Sequence, residues 1–206
     1  NTNTRIRRFD ASGALDNAFG TAGSTTITLA DYNTFSTIGI LSNGAGGLLI
    51  PALAARTVTC PPSGFIPQCF YSGKDAAVAN LDSSGHLQTS YGRGDGFAVV
   101  NNAEYSNDKI DAILVETSGK VVLAGSSDAE AISDYLLERL TTNGSPDIAF
   151  GTNGRVVPRQ DNPFMGKVRA AKQENGAITV VTGRANTAFR FDSSGTHYAE
   201  FAPALA

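Results

Sequence analysis

The chain has no tryptophan, one methionine, two histidines and two cysteines. So few soft or imidazole ligands leave no set from which a zinc or iron–sulfur centre is normally built. No apolar run approaches the roughly 18 residues that a membrane span requires, which excludes a helical span on sequence grounds. Charged residues make up only 17% of the composition and the net charge is −3. A domain that grips nucleic acid normally carries clustered Lys and Arg, so no nucleic-acid partner is expected. There is no phosphate-binding loop, no dinucleotide fingerprint between a strand and a helix, and no Gly-x-Ser-x-Gly elbow. Apolar periodicity of the helical kind is almost missing too. Only the stretch from Asp128 to Leu140 could be scored as a short helix, and its tail must also be the strand entering Asn143-Gly144, so turn then strand is preferred.

What the 206 residues do contain is glycine, 22 of them, and a recurring pattern anchored on it. The clearest copy is Leu140 to Val157, Leu-Thr-Thr-Asn-Gly-Ser-Pro-Asp-Ile-Ala-Phe-Gly-Thr-Asn-Gly-Arg-Val-Val. Phe9-Asp-Ala-Ser-Gly13 leads likewise into Asp16-Asn-Ala-Phe19-Gly20, and Leu81-Asp-Ser-Ser-Gly85 into Gln88-Thr-Ser-Tyr91-Gly92. Phe191-Asp-Ser-Ser-Gly195 runs on to Phe201. An aromatic ring follows each anchor glycine by 6 positions: Phe19, Tyr91, Phe150 and Phe201. The anchors stand 72 (13 to 85), 59 (85 to 144) and 51 (144 to 195) residues apart, a drifting period suited to one small sheet per repeat.

Between the anchors lies a second signal, a turn glycine followed by a short apolar strand: Gly44 to Ile50, Gly119 to Gly125 and Gly176 to Gly183. Strands are expected at Thr4 to Phe9, Thr25 to Leu29, Ser36 to Leu41, Leu48 to Leu53 and Ala76 to Leu81. The second cycle offers Phe97 to Val100, Ile110 to Glu116, Val121 to Ala124 and Tyr135 to Leu140. The third offers Val156 to Val157, Lys167 to Lys172, Ile178 to Val181 and Ala188 to Phe191. Asn-Gly at 43, 143, 153 and 175 and Ser-Gly at 12, 84, 118 and 194 supply the positive φ that tight hairpin turns demand. Four short strands per cycle describe a propeller blade. The expectation is one all-β domain over 1–206, a propeller-like array of about three four-stranded blades, an open arc or part of a larger ring. Its cycles run approximately over 14–85, 86–144 and 145–195, with an extra N-terminal strand at 4–11 and a C-terminal tail at 196–206.

These residues resemble the delta-60 repeat family, whose repeats join a strand ending in a polar-polar-Gly turn to an Asp-x-x-Phe-Gly element, a further glycine, and strands around a second Gly turn. Asp16 to Gly20 and Asp147 to Gly151 match closely. The second copy departs with Gln88 and Tyr91, and the last carries Tyr198 and Ala202. The resemblance covers essentially the whole chain. It implies a β-propeller-type bacterial repeat, often in cell-surface or secreted proteins, and brings no catalytic residues.

Asp16, Phe19, Gly20, Tyr91, Gly92, Asp147, Phe150, Gly151 and Phe201 are read as structural repeat positions. A short carboxylate opening a tight turn accepts otherwise orphaned N–H groups, and the ring drops between adjacent sheets. Repetition favours this over a reaction centre, which is one asymmetric constellation. Asp10, Asp82 and Asp192 are read as side-chain-to-backbone turns and not as calcium loops. His86 and His197 are expected on exposed turns, and Arg93-Gly94-Asp95 owes its spelling to turn chemistry. No catalytic residue, cofactor or metal ligand is assigned.

Cys60 and Cys69 bracket a Pro-rich insertion in the first cycle and read as a local disulfide clip. Such a clip argues for an oxidising, extracytoplasmic setting: secreted, periplasmic or at the cell surface. A chain opening on Asn1 fits a processed or truncated product. The leading expectation of function is a non-catalytic scaffold or binding module for a protein, for its own copies, or for a glycan. The alternatives are a hydrolase or lyase using non-repeated groups such as His86, Asp95, Glu104, Asp108 and Arg184, and a structural subunit of a surface filament or larger complex.

Overall fold

The computed structural model describes residues 3–56, 73–100, 108–127, 134–156, 168–182 and 188–201. Within them the chain is all-β, a propeller-like series of small antiparallel sheets with no closed barrel. Strands β1 (Thr4–Arg7) and β2 (Ser24–Ile27) form a two-stranded first sheet. Strands β3 (Tyr32–Thr37), β4 (Leu41–Ser42), β5 (Leu48–Arg56), β6 (Lys74–Leu81) and β7 (Phe97–Val100) make the second, in the order β3-β5-β6-β7 with β4 also on β5. The third is β11-β10-β9-β8, built from β8 (Lys109–Val115), β9 (Val121–Ser127), β10 (Asp134–Leu140) and β11 (Arg155–Val156). In the fourth, β12 (Val168–Glu174), β13 (Ala177–Thr182), β14 (Ala188–Phe191) and β15 (His197–Phe201) follow one another in chain order.

Period-two alternation decides which core each side chain joins, because successive residues of a strand face opposite sides of the sheet. On β5 and β6, Ile50, Ala52, Ala77 and Ala79 pack toward the first sheet, whereas Leu49, Ala76 and Val78 pack toward the third. Val121 and Leu123 of β9 share the core with the second sheet, and Val122 and Ala124 join the fourth. Strands β5, β6 and β9 thus contribute side chains to a core on each face and read as near-continuous apolar runs. Each seam between sheets has its own core, and each core contains one repeat ring: Phe19, then Tyr91, then Phe150.

Two sequence expectations shift. The strand expected from Ser36 to Leu41 is instead β3, beginning at Tyr32 and ending at Thr37, with β4 after it. The buried anchors there are Tyr32 and Phe35 (5% and 3% exposed), while Ile38 and Ile40 face outward at 42% and 59%. A register irregularity between Tyr32 and Thr34 lets residues three apart share the core face. The segment after Gly195, expected as a tail, is strand β15 against β14. It stands where β2, β7 and β11 stand, so every sheet takes its outer strand from beyond its anchor glycine.

Turn chemistry follows the dipeptides. Asn175 and Gly176 both have positive φ, 50° and 80°, the geometry whose twist suits a two-residue hairpin and which Asn-Gly adopts with least strain. Cys60 and Cys69 lie outside the described residues.

Candidate functional site

The anchor turns are closed by their own side chains. Asp10 Oδ1 accepts the N–H groups of Ser12 and Ala14 at 2.8 and 3.1 Å. Asp82 and Asp192 do the same with Ser84 and His86, and with Ser194 and Thr196, at 2.8 and 2.9 Å in each case. The serine hydroxyl and backbone donors hold the Asp10 and Asp192 carboxyls below their ordinary range. In the third copy Thr141 stands at the aspartate position and Asn143 supplies the acceptor, its Oδ1 accepting from Ser145 N–H at 3.3 Å and from the Thr141 hydroxyl.

Each repeat docks on the next through that turn. Gly20 N–H donates to the Ser84 carbonyl at 2.6 Å, Gly92 to Asn143 at 2.7 Å and Gly151 to Ser194 at 2.7 Å. The preceding ring then lies on the anchor glycine. A Cβ on Gly85 would stand 2.8 Å from the Phe19 ring, one on Gly144 2.8 Å from Tyr91, and one on Gly195 3.0 Å from Phe150. A side chain has no room there, and the positive φ of these three glycines disfavours one independently. The ring-following glycines are tighter still, since a Cβ on Gly20, Gly92 or Gly151 would fall 1.8 to 2.1 Å from a carbonyl oxygen of the next hairpin arm.

Asp16 and Asp147 have two tasks. Their Oδ1 atoms accept Ala18 and Ala149 N–H at 3.0 and 3.4 Å, closing the turn. Their Oδ2 atoms each take an arginine Nε at 2.7 Å, from Arg8 and Arg139. Those guanidiniums reach onward to the next repeat, donating to the Ser83 and Ser193 carbonyls at 2.5 and 2.6 Å. They also lie over the Phe19 and Phe150 rings, 4.7 and 4.5 Å from the centroids, a favourable cation–π position. Arginine, aspartate and ring therefore form one clamp per seam. The arginine was missed in the sequence, although Arg8, Arg139 and Arg190 all stand 5 residues before an anchor glycine.

The third-sheet clamp is the more deeply set, with Arg139 and Asp147 side chains 7% and 8% exposed against 37% and 28% for Arg8 and Asp16. Lys120 Nζ joins Asp147 Oδ2 at 2.8 Å and Glu116 approaches Arg139 at 3.5 Å. Burial pushes the Asp147 carboxyl up, but hydrogen bonds from Lys120 and Arg139 outweigh it and hold the group below its ordinary value.

The second copy breaks this scheme by losing every charge at once. Strand register aligns Asn80 with Arg139, since Leu48 pairs with Leu81 as Val121 pairs with Leu140. Gln88 replaces the aspartate, Tyr91 the phenylalanine and Gly47 the lysine, and Asn43 occupies the place of Glu116. Asn43 Nδ2 donates to Asn80 Oδ1 at 2.9 Å, a neutral echo of the Glu116–Arg139 contact. Where a guanidinium fills the other seams, this one keeps a cavity of about 190 Å³, with Asn43, Asn80, Gln88 and Tyr91 on one side and Val121 and Thr142 on the other. Tyr91 is 2% exposed and its hydroxyl has no hydrogen-bond partner among the described residues. Burial pushes that phenol further up, so it stays a neutral donor across the physiological range.

The remaining candidates lie elsewhere. His86 Nδ1 is 3.8 Å from Asp82 on an exposed turn, and Asp95 holds Arg93 at 2.6 Å, so both engage near neighbours in sequence. Asp108 is fully buried, its N–H donating to the Lys74 carbonyl. His197 is an exposed residue of β15 beside the Phe191 ring. The strand backbone at Phe201 pairs with Ala188. Glu104 and Arg184 lie outside the described residues. Among the described residues no group of three or more His, Cys, Asp or Glu is placed to hold a metal ion, and no helix is long and apolar enough to cross a membrane.

One buried carboxyl sets a pH dependence. Glu138, 4% exposed, is pushed up to about 7 from 4.5 chiefly by burial, with the Arg155 guanidinium at 3.5 Å pulling the other way and Asp108 adding to the rise. A raised folded value means the folded chain binds the extra proton between 4.5 and about 7. Stability from this group is therefore full below 4.5 and is lost as pH rises through 7. Urea titrations at pH 4.5 and 7.5 should differ by up to about 3 kcal/mol from this source, and Glu138→Gln should remove that difference.

No protein-family model matches the chain, and no curated protein matches it.

Proposed function

We propose that this chain is a non-catalytic, extracytoplasmic repeat scaffold whose task is to bind protein, its own copies first, through the first sheet. The observation that carries the reading is a comparison of equivalent positions. Phe9 occupies the position of Leu81, Leu140 and Phe191; those three are 0–1% exposed and Phe9 is 56% exposed. Gly13 is likewise exposed, with nothing within 4 Å of a Cβ built on it, whereas Gly85, Gly144 and Gly195 are each covered by a ring. The β1–β2 sheet has two strands where the other sheets have at least four, and β1 pairs only with β2 among the described residues.

An open strand edge beside an apolar ring is the geometry of strand addition, in which backbone hydrogen bonds give affinity and side-chain seats give specificity. The best-fitting occupant is a segment like the one that fills the other three seats, an aromatic-glycine turn with its strand, presented by a second copy. Engagement of the repeated carboxylates by arginine in the clamps and by backbone N–H groups in the turns leaves those groups to architecture. The extracytoplasmic setting is supported by the spacing of Cys60 and Cys69 and by the resemblance to delta-60 repeats.

Size-exclusion with light scattering tests the reading. The mass of the purified chain is expected to rise with concentration, and Gly13→Asn, which tolerates positive φ while filling the seat, is expected to return it to monomer. A monomer at low and high concentration overturns the proposal, as does association that Gly13→Asn leaves unchanged.

A further inference from the structure

We propose that the seam between the second and third sheets is a binding site for one neutral, polyhydroxylated ring, a single monosaccharide unit. The inference goes beyond the protein-binding reading and stands whether or not copies of the chain associate.

Its first ground is the way the repeat is broken. The other two seams with a described ring close their space with arginine against aspartate, and this one has exchanged arginine, aspartate, lysine and glutamate together for Asn80, Gln88, Gly47 and Asn43. Random wear at one position would leave a buried charge without its counterion, which is strongly unfavourable. The concerted exchange instead leaves a neutral, polar cavity of about 190 Å³. That is below the about 300–1,000 Å³ of a drug-sized pocket, room for a single ring and not for an extended molecule.

The second ground is an unsatisfied group. The Tyr91 hydroxyl is buried and without a hydrogen-bond partner among the described residues, and Tyr91 lines this cavity. A buried donor left unmade is costly, and the equivalent positions Phe19 and Phe150 show that the seam is built equally well without it. The hydroxyl adds nothing to the packing and stands as an unpaired donor on a residue that lines the cavity.

Ligand class follows from the lining. The amides of Asn80 and Gln88 each offer donors and an acceptor, and Tyr91 offers a hydroxyl, an arrangement matched to groups that both give and receive hydrogen bonds. No charged residue lines the cavity, so neither anion nor cation finds a counterion. Leu49 and Val121 provide an aliphatic wall, which suits the C–H face of a sugar ring. Asn43 is already fixed, its Oδ1 accepting Ala45 and Gly47 N–H at 3.0 and 2.9 Å, and it holds Asn80 in place.

The test is saturation-transfer NMR and titration calorimetry of the intact chain with glucose, galactose, mannose and N-acetylglucosamine, each as the free sugar and as its methyl glycoside. Saturable binding in the millimolar range is expected for at least one. Preference for the glycoside identifies the end of a glycan chain as the source, and preference for the free form identifies a free sugar. Tyr91→Phe should weaken binding about tenfold, the loss of one buried hydrogen bond. Asn80→Arg with Gln88→Asp, which rebuilds the clamp of the other seams, should abolish it with the thermal melt retained. Absence of saturable binding by every sugar marks a merely hydrated cavity and overturns the proposal, as does unchanged affinity in Tyr91→Phe. That variant alone decides the matter if the double variant does not fold.

Discussion

Phe150→Ala is expected to destabilise the chain by about 3–5 kcal/mol, the range for removing a buried aromatic ring. Phe150 is fully buried, sits in the core shared by the third and fourth sheets, carries the Arg139 guanidinium on its face and lies on Gly195. Its removal therefore opens a cavity at the point where two repeats meet. Because the array is held by nearest-neighbour seams, the loss should show as early release of the fourth sheet. Hydrogen exchange should accelerate first in β13 and β14, before the second sheet responds. A melt and an exchange pattern like those of the wild type would refute the seam assignment.

Arg139→Met is the second large effect, expected at about 3 kcal/mol, because it leaves Asp147 buried with only Lys120 beside it. The same change at Arg8, whose pair is about a third exposed, should cost no more than about 1 kcal/mol. Charge, and not only packing, is at stake, so a neutral replacement of the whole clamp should be tolerated. Arg139→Asn with Asp147→Gln, the combination the second copy already uses, should recover most of the loss. Denaturant midpoints for Arg139→Asn alone, Asp147→Gln alone and the double variant give the coupling directly. Acid dependence adds a check: Asp147's contribution is complete above its ordinary value of 3.8 and is lost as pH falls through its lower folded value. Arg139→Met should blunt that acid loss.

Most of the architecture was legible because it depends on local signals. Anchor glycines, Asn-Gly pairs and the ring at a fixed offset each specify a backbone conformation or a buried position within a few residues. β3 was displaced because Ile38 and Ile40 alternate like a strand face, while the true anchors Tyr32 and Phe35 are brought to one side by a bulge that no local pattern announces. β15 was read as a tail for a related reason. Its partner β14 lies across the five-residue turn at 192–196, and His197 to Phe201 starts directly after it, where the other copies carry a ring-glycine connection before the outer strand, so the repeat pattern does not announce a strand there. The arginines recur at a fixed offset in three of the four copies. Their role depends on a carbonyl 75 residues from Arg8 and 54 from Arg139, and only the folded chain brings those together. The neutral cavity was visible only as two departures, Gln88 and Tyr91. That Asn43 and Asn80 change with them is a fact of strand register.

The docking contacts that repeat from seam to seam point the same way along the chain: ring onto a later glycine, glycine N–H to a later carbonyl, guanidinium to a later turn. Such a vectorial joint resembles a course of bricks with tongue on one side and groove on the other. A gene segment spanning one anchor to the next can be copied or excised in place, and the tongue of the preceding unit still meets a groove of the same form. Lineages carrying such units can change their number without redesigning any joint, and the unit whose joint has gone neutral is the one free to acquire a task of its own.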